Sequence, residues 1–113
     1  MDNRWLKLTD IQQLSQIVSQ SAHRPQVLFK HSTRCSISTM ALTRLQSLGD
    51  DFYSKADFYY LDLIAHRDIS NAIANDFHVH HESPQIVVLR NGDATYDASH
   101  LEITVAELIQ EVQ

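Results

Sequence analysis

In Val27-Leu28-Phe29-Lys30-His31-Ser32-Thr33-Arg34-Cys35-Ser36-Ile37-Ser38 an apolar run gives way to a polar segment and then to a helix, with the chain's single cysteine at the changeover. Val27, Leu28 and Phe29 are β-branched or bulky and read as a short buried strand. Lys30 to Arg34 reads as a polar connection. Beyond Cys35, the residues Ile37, Met40, Ala41, Leu45 and Leu48 recur at helical spacing, and Gly49 supplies a stop signal. A lone cysteine is by default a small buried hydrophobe. Its place at a predicted helix N-terminus changes that reading, because the unpaired amides and partial positive charge there favour a thiolate. Arg34 adjoins it, and Lys30 and His31 lie just upstream, so the expectation is a thiol made acidic by its surroundings. Ser38 completes a C-x-x-S spacing one helical turn on. A hydroxyl there can donate to a thiolate but cannot attack a disulfide.

Outward from this stretch, strands and helices alternate. Leu6 and Leu8 flank Lys7 as a short opening strand. Thr9 and Gln12 have capping-box spacing, with Ile11, Leu14, Ile17 and Val18 on one helical face, and Pro25 closes that region. Phe58 to Ile64 reads as an inner strand, and Ile69, Ala72, Ile73 and Phe77 mark the next amphipathic helix. Ile86 to Leu89 is a further strand, Asn91-Gly92 is a strong hairpin signal, and Ala94 to Ala98 returns as its partner. Thr104 caps a last helix with Glu107 at its third position, and Ile103 and Leu108 are placed as a hydrophobic staple. The order is α, β, α, β, α, β, β, α with a possible leading strand. It implies an α/β fold with a mixed four- or five-stranded sheet, partly parallel, and helices on both faces.

The composition sets bounds on function. With 113 residues, 43% hydrophobic and 20% charged, the chain has the balance of one soluble domain spanning 1–113. A net charge of -5 with scattered Lys and Arg argues against nucleic acid as partner. No apolar run approaches a membrane span, and Met1 to Trp5 lacks the apolar region of a signal peptide, so a cytoplasmic protein without a membrane partner is expected. One cysteine excludes an internal disulfide and a multi-cysteine zinc site. Any disulfide must therefore be made with another molecule.

These residues together resemble the YtxJ family, the monothiol bacilliredoxins of the bacillithiol system, from Leu6 to about Ile109. The resemblance rests on Phe29-Lys30-His31-Ser32-Thr33, on Cys35 with Ile37-Ser38, on His66-Arg67-Asp68 with Ser70-Asn71, on His81-Glu82-Ser83-Pro84-Gln85, on Asn91-Gly92 and on Ala98-Ser99-His100. It implies a thioredoxin-like fold with Cys35 as nucleophile and Ser38 beside it. Thr33, Arg34, Ser83 and Pro84 would contact substrate. The family also implies a cis bond at Ser83-Pro84, which sequence alone would read as trans. The protein would take bacillithiol, or another low-molecular-weight thiol, from S-thiolated client proteins. That thiol is a co-substrate, and no tightly bound cofactor is implied. Where the family usually has Thr-Cys-Pro, this chain has Arg34-Cys35-Ser36, which removes a residue preorganised for the first helical turn.

Other signals have plainer readings. His78 and His80 would share a face if they lay on a strand, which raises a metal site, but a polar loop is the simpler expectation and no metal is assigned. His81 is a candidate to tune the thiolate, as are Lys30 and His31. Lys30 and Arg34 are candidates to grip acidic groups of a small thiol. His66-Arg67-Asp68 reads as a helix start with Asp68 in its first turn. Trp5, Tyr59 and Tyr60 read as packing residues. The alternative functions are a non-catalytic binding or redox-sensing module modified at Cys35 and, more remotely, a metal or cluster carrier.

Overall fold

The computed structural model describes residues 4–113, so Met1 to Asn3 lie outside the described residues. The centre of the molecule is β2 (Gln26–His31), every residue of which is buried. On one side it pairs in parallel with β3 (Asp57–Asp62), which in turn pairs with the two-residue β1 (Leu6–Lys7). On the other side it pairs antiparallel with β4 (Gln85–Arg90), which pairs with β5 (Asp93–Ser99). The sheet order is β1-β3-β2-β4-β5, which is the mixed five-stranded case of the expected fold. Side chains alternate across it. Val27 and Phe29 join Phe58, Ile86 and Val88 in one core, and Leu28 joins Leu61, Val87 and Leu89 in the other.

Helices cover both faces. On the Phe29 face lie α2 (Ser36–Leu45), the short α3 (Asp50–Tyr53) and α5 (Val105–Val112), which contribute Ala41, Leu45, Phe52, Leu108 and Val112. On the Leu28 face lie α1 (Gln13–Gln20) and α4 (Arg67–Phe77), with Leu14, Ile17, Ile69, Ile73 and Phe77. Trp5 is buried, stacks edge-on against Phe29 and Phe58, and donates its indole N–H to the Tyr53 hydroxyl at 2.7 Å.

Several local expectations need correction. The polar connection read from Lys30 onward begins two residues later, because Lys30 and His31 belong to β2 and are buried. The first helix is capped one residue further on than Thr9 and Gln12 suggest. The Gln13 side chain accepts from the amides of Thr9 and Asp10, and the Asp10 carboxylate accepts from Gln12 N–H. In α2 the buried stripe is Ser38, Ala41 and Leu45, whereas Ile37 and Met40 are exposed. Gly49 is not a left-handed stop but the extended residue that opens α3, which the sequence reading left out. At the last helix the reading holds: the Thr104 hydroxyl accepts from Glu107 N–H, with Ile103 and Leu108 both buried.

The β4–β5 turn has positive φ at both central residues, 52° at Asn91 and 81° at Gly92, which matches the twist of the strands it joins. Beyond it a register shift between Val88 and Leu89 lets Tyr96 face the Phe29 core and Ala94 the Leu28 core, two residues apart. A Cβ at Gly92 would meet only ordinary contact with Val18, so backbone conformation is what a substitution there would strain. We expect Gly92→Ala to lower the urea unfolding free energy by about 1–2 kcal/mol; an unchanged midpoint would contradict this account of the turn.

Candidate active site

Cys35 is the N-cap of α2. Its backbone is extended (φ −114°, ψ 124°), its N–H donates to Ser32 O, and its carbonyl accepts the first helical bond from Thr39 N–H at 3.1 Å. The thiol is free and partly exposed at the helix end whose first-turn amides have no helical acceptor. Thr33 and Arg34 precede it on the surface, and Arg34 forms no ion pair with any described residue.

Four residues before Cys35, β2 ends. Its neighbour β4 begins at the same sheet end, with Gln85 opposite Lys30, so Pro84 enters the sheet beside the connection that carries the thiol. The Ser83–Pro84 peptide bond is cis. Pro84 is buried, and its carbonyl accepts from His100 N–H at 3.0 Å. The Ser83 hydroxyl is enclosed without a hydrogen-bond partner. Arg44 of α2 donates to the carbonyls of Leu101 and Ile103, which fastens the segment after β5 to the cysteine-bearing helix.

Ser38 and His31 lie close behind the thiol-bearing turn. Ser38 is fully buried. Its Oγ accepts Ser32 N–H at 3.0 Å and shares a 2.7 Å hydrogen bond with His31 Nδ1. These two bonds form an inward tie that fixes the first turn of α2 to the end of β2. Burial lowers the His31 pKa, an effect partly offset by the Asp62 carboxylate and by Ser38.

Lys30 and His81 do not stand beside Cys35. Strand alternation turns Lys30 to the Leu28 face, the opposite side of the sheet from α2. There its ammonium donates to Ser70 O at 3.0 Å and to His81 Nδ1 at 3.3 Å. Because an ammonium only donates, His81 Nδ1 is the bare nitrogen and Nε2 carries the proton. The His81 pKa is lowered, by burial first and by the Lys30 charge next. Burial also lowers Lys30, to about 8. Sequence reading grouped Lys30 with the thiol by proximity along the chain. Counting the alternation forward from Leu28 would have separated them.

The histidine-rich segment is not a strand. His78 is the left-handed C-cap of α4 (φ 56°), and Val79 to Ser83 form a loop before β4. Glu82 lies between two imidazoles, 3.7 Å from His80 Nε2 and 3.4 Å from His100 Nε2. Among the described residues no group of three or more His, Cys, Asp or Glu is arranged to hold a metal ion, and no helix is long and apolar enough to cross a membrane.

Two stability measurements follow from this geometry. Ser38→Ala leaves Ser32 N–H and His31 Nδ1 buried without partners, so the unfolding free energy should fall by about 1–3 kcal/mol. A change near zero would mean that the tie does not hold α2. For Lys30, the folded pKa lies below the unfolded value, so the unfolded chain binds more protons between pH 8 and 10 and stability rises with pH. The rise from this group should be about 2–3 kcal/mol over that window. It should vanish in Lys30→Met, and a Lys30→Met protein with the wild-type pH profile would contradict the burial of a charged amine.

The comparisons with known proteins agree with this architecture. The family described as Monothiol bacilliredoxin BrxC matches residues 6–108. A solved structure described as an oxidoreductase with a thioredoxin fold is 32% identical, with a TM-score of 0.83 over 97% of this chain and 95% of that one. Thioredoxins from Malassezia sympodialis (17% identity, TM-score 0.75, 96% and 90% coverage) and Fasciola hepatica (16%, 0.74, 96% and 99%) share the fold. A thioredoxin fold whose only thiol opens α2, matched by the family over nearly its whole length, shows that the chain belongs to the monothiol bacilliredoxins.

Proposed function

We propose that this protein is a monothiol thiol–disulfide oxidoreductase that removes bacillithiol, or a similar low-molecular-weight thiol, from mixed disulfides on client proteins in the cytoplasm. The observation that carries the reading is the sole cysteine, partly exposed, opening α2 at the sheet end where cis-Pro84 enters β4. The Cys35 thiolate attacks the small-thiol sulfur of the client disulfide. A bond forms between Cys35 and the small thiol, the client S–S bond breaks, and the electron pair leaves on the client thiolate, which takes a proton from water. A second small thiol, as its thiolate, then attacks the adduct, leaves as a symmetric disulfide and restores Cys35. Each step exchanges one disulfide for another, so no outside oxidant or metal is needed.

The surroundings support these roles. The amides of the first turn of α2, which have no helical acceptor, offer donors on the side of the helix end where Cys35 sits. In this reading the exposed Arg34 cation meets an acidic group on the small thiol, with Thr33 beside it. The backbone of Ser83, next to cis-Pro84, receives an extended client segment. Ser38 holds the turn and takes no part in resolving the disulfide.

A peptide carrying an S-bacillithiolated cysteine tests the reading directly. Wild-type protein should gain the adduct on Cys35 and free the peptide thiol, and Cys35→Ala should do neither. A Cys35→Ala protein that still frees the peptide thiol would overturn it. Adduct formation without release by excess small thiol would instead indicate a modified sensor that turns nothing over. Intact-mass spectrometry of protein from its native cells would name the thiol carried.

A further inference from the structure

On the face of the sheet opposite the nucleophile, the structure holds a polar cluster that the exchange chemistry does not use. Lys30, Ser70 and Gln85 are each no more than 2% exposed. Lysine is almost never fully buried without a carboxylate partner, yet the ammonium here meets a carbonyl and an imidazole nitrogen instead. Ser70 Oγ lies 3.3 Å from the same His81 nitrogen. In register opposite Lys30, Gln85 donates its amide to His80 O at 2.9 Å, and its Oε1 has no partner. The cluster therefore carries one cation and an excess of acceptors.

The elements joined are what give the cluster meaning. His80 and His81 begin the loop that runs through Glu82 and Ser83 to cis-Pro84. One anchor holds the His81 ring and the other the His80 carbonyl, and both arise from the buried side of β2 and β4. The far end of the loop is fixed by the bond from His100 N–H to Pro84 O. We propose that Lys30 is a positioning residue for substrate: its buried ammonium, acting through His81 while Gln85 holds the His80 carbonyl, fixes the loop that presents Ser83 and Pro84 beside Cys35. This rests on the proposed role of those two residues in receiving the client. The direction of each bond is set by chemistry. An ammonium needs acceptors, Ser70 O supplies a fixed one from α4, and a neutral His81 supplies a movable one on the loop. A neutral side chain of similar length removes the charge-assisted donor and leaves His81 Nδ1 with the Ser70 hydroxyl alone, so the ring is held less firmly while the Gln85 and His100 bonds remain.

The test compares a small probe, which needs no loop, with a peptide, which does. In Lys30→Met, alkylation of Cys35 by iodoacetamide should stay within about twofold of wild type. With a peptide bearing an S-cysteinyl mixed disulfide and free cysteine as regenerant, KM should rise about tenfold with kcat nearly unchanged, as expected for loss of one charge-assisted hydrogen bond. His81→Phe should reproduce the rise in KM, and His81→Asn, whose Oδ1 can accept from Lys30, should reverse most of it. Independently of any turnover, the His81 Nδ1 resonance in nitrogen-15 spectra should move on Lys30→Met, together with the amide signals of residues 80–83. Unchanged His81 and loop signals, or a wild-type KM in Lys30→Met, would overturn the proposal. Alkylation and peptide turnover falling in parallel would overturn it too, since the damage would then be general. If wild-type protein takes no thiol from the peptide, the exchange function itself fails, and the spectra alone still decide whether Lys30 sets the loop.

Discussion

The constraint on which the structure depends is the burial of β2 on both faces through its last residue. A strand in the middle of a covered sheet has no solvent for its polar side chains, and this one ends in Lys30 and His31. Each must find partners within the fold or cost several kcal/mol. Alternation sends them to opposite sides, and each takes hold of a different segment at the Cys35 end of the sheet. His31 holds the first turn of α2 through Ser38, and Lys30 holds the loop before cis-Pro84 through His81. Two polar residues that would be liabilities in an apolar core thus become fasteners of the two segments that meet at this end of the sheet.

That arrangement also accounts for what serine does in the C-x-x-S spacing. Its side chain is enclosed and engaged with an imidazole and an amide, so it serves the packing of α2 on β2. With a hydroxyl here and no second cysteine in the chain, a mixed disulfide formed on Cys35 under the proposed role would have to be resolved by a thiol from another molecule.

Much of this was legible in the sequence, and the failures have physical causes. Signals that act within a few residues were read correctly: the two positive-φ residues at Asn91-Gly92, the Thr104 cap with its Ile103–Leu108 staple, and a cysteine at a strand-to-helix junction. Errors arose where long-range packing overrode local character. Lys30 and His31 look like loop residues, and only the pairing of β2 with β3 and β4 shows that they are core. Ile37 and Met40 look like a buried stripe, but the Ser38 tie turns α2 so that Ser38, Ala41 and Leu45 face inward. His78 and His80 look like alternating ligands, but a left-handed helix end and a loop set their directions instead. For the site, position along the chain identified the nucleophile, whereas the partners of Lys30, His31 and His81 depended on sheet faces that no short window encodes.

The register shift in the β4–β5 hairpin has a consequence beyond its own strands. Open strand edges are ready templates for pairing and aggregation. One edge of this sheet is β1, only two residues long, which offers almost no ladder to copy. The other is β5, bent by the irregularity opposite Val88 and Leu89 and carrying Asp93 and Asp97 along its length. Both borders thus discourage strand addition, so the sheet is guarded against edge-to-edge association along each of its two sides.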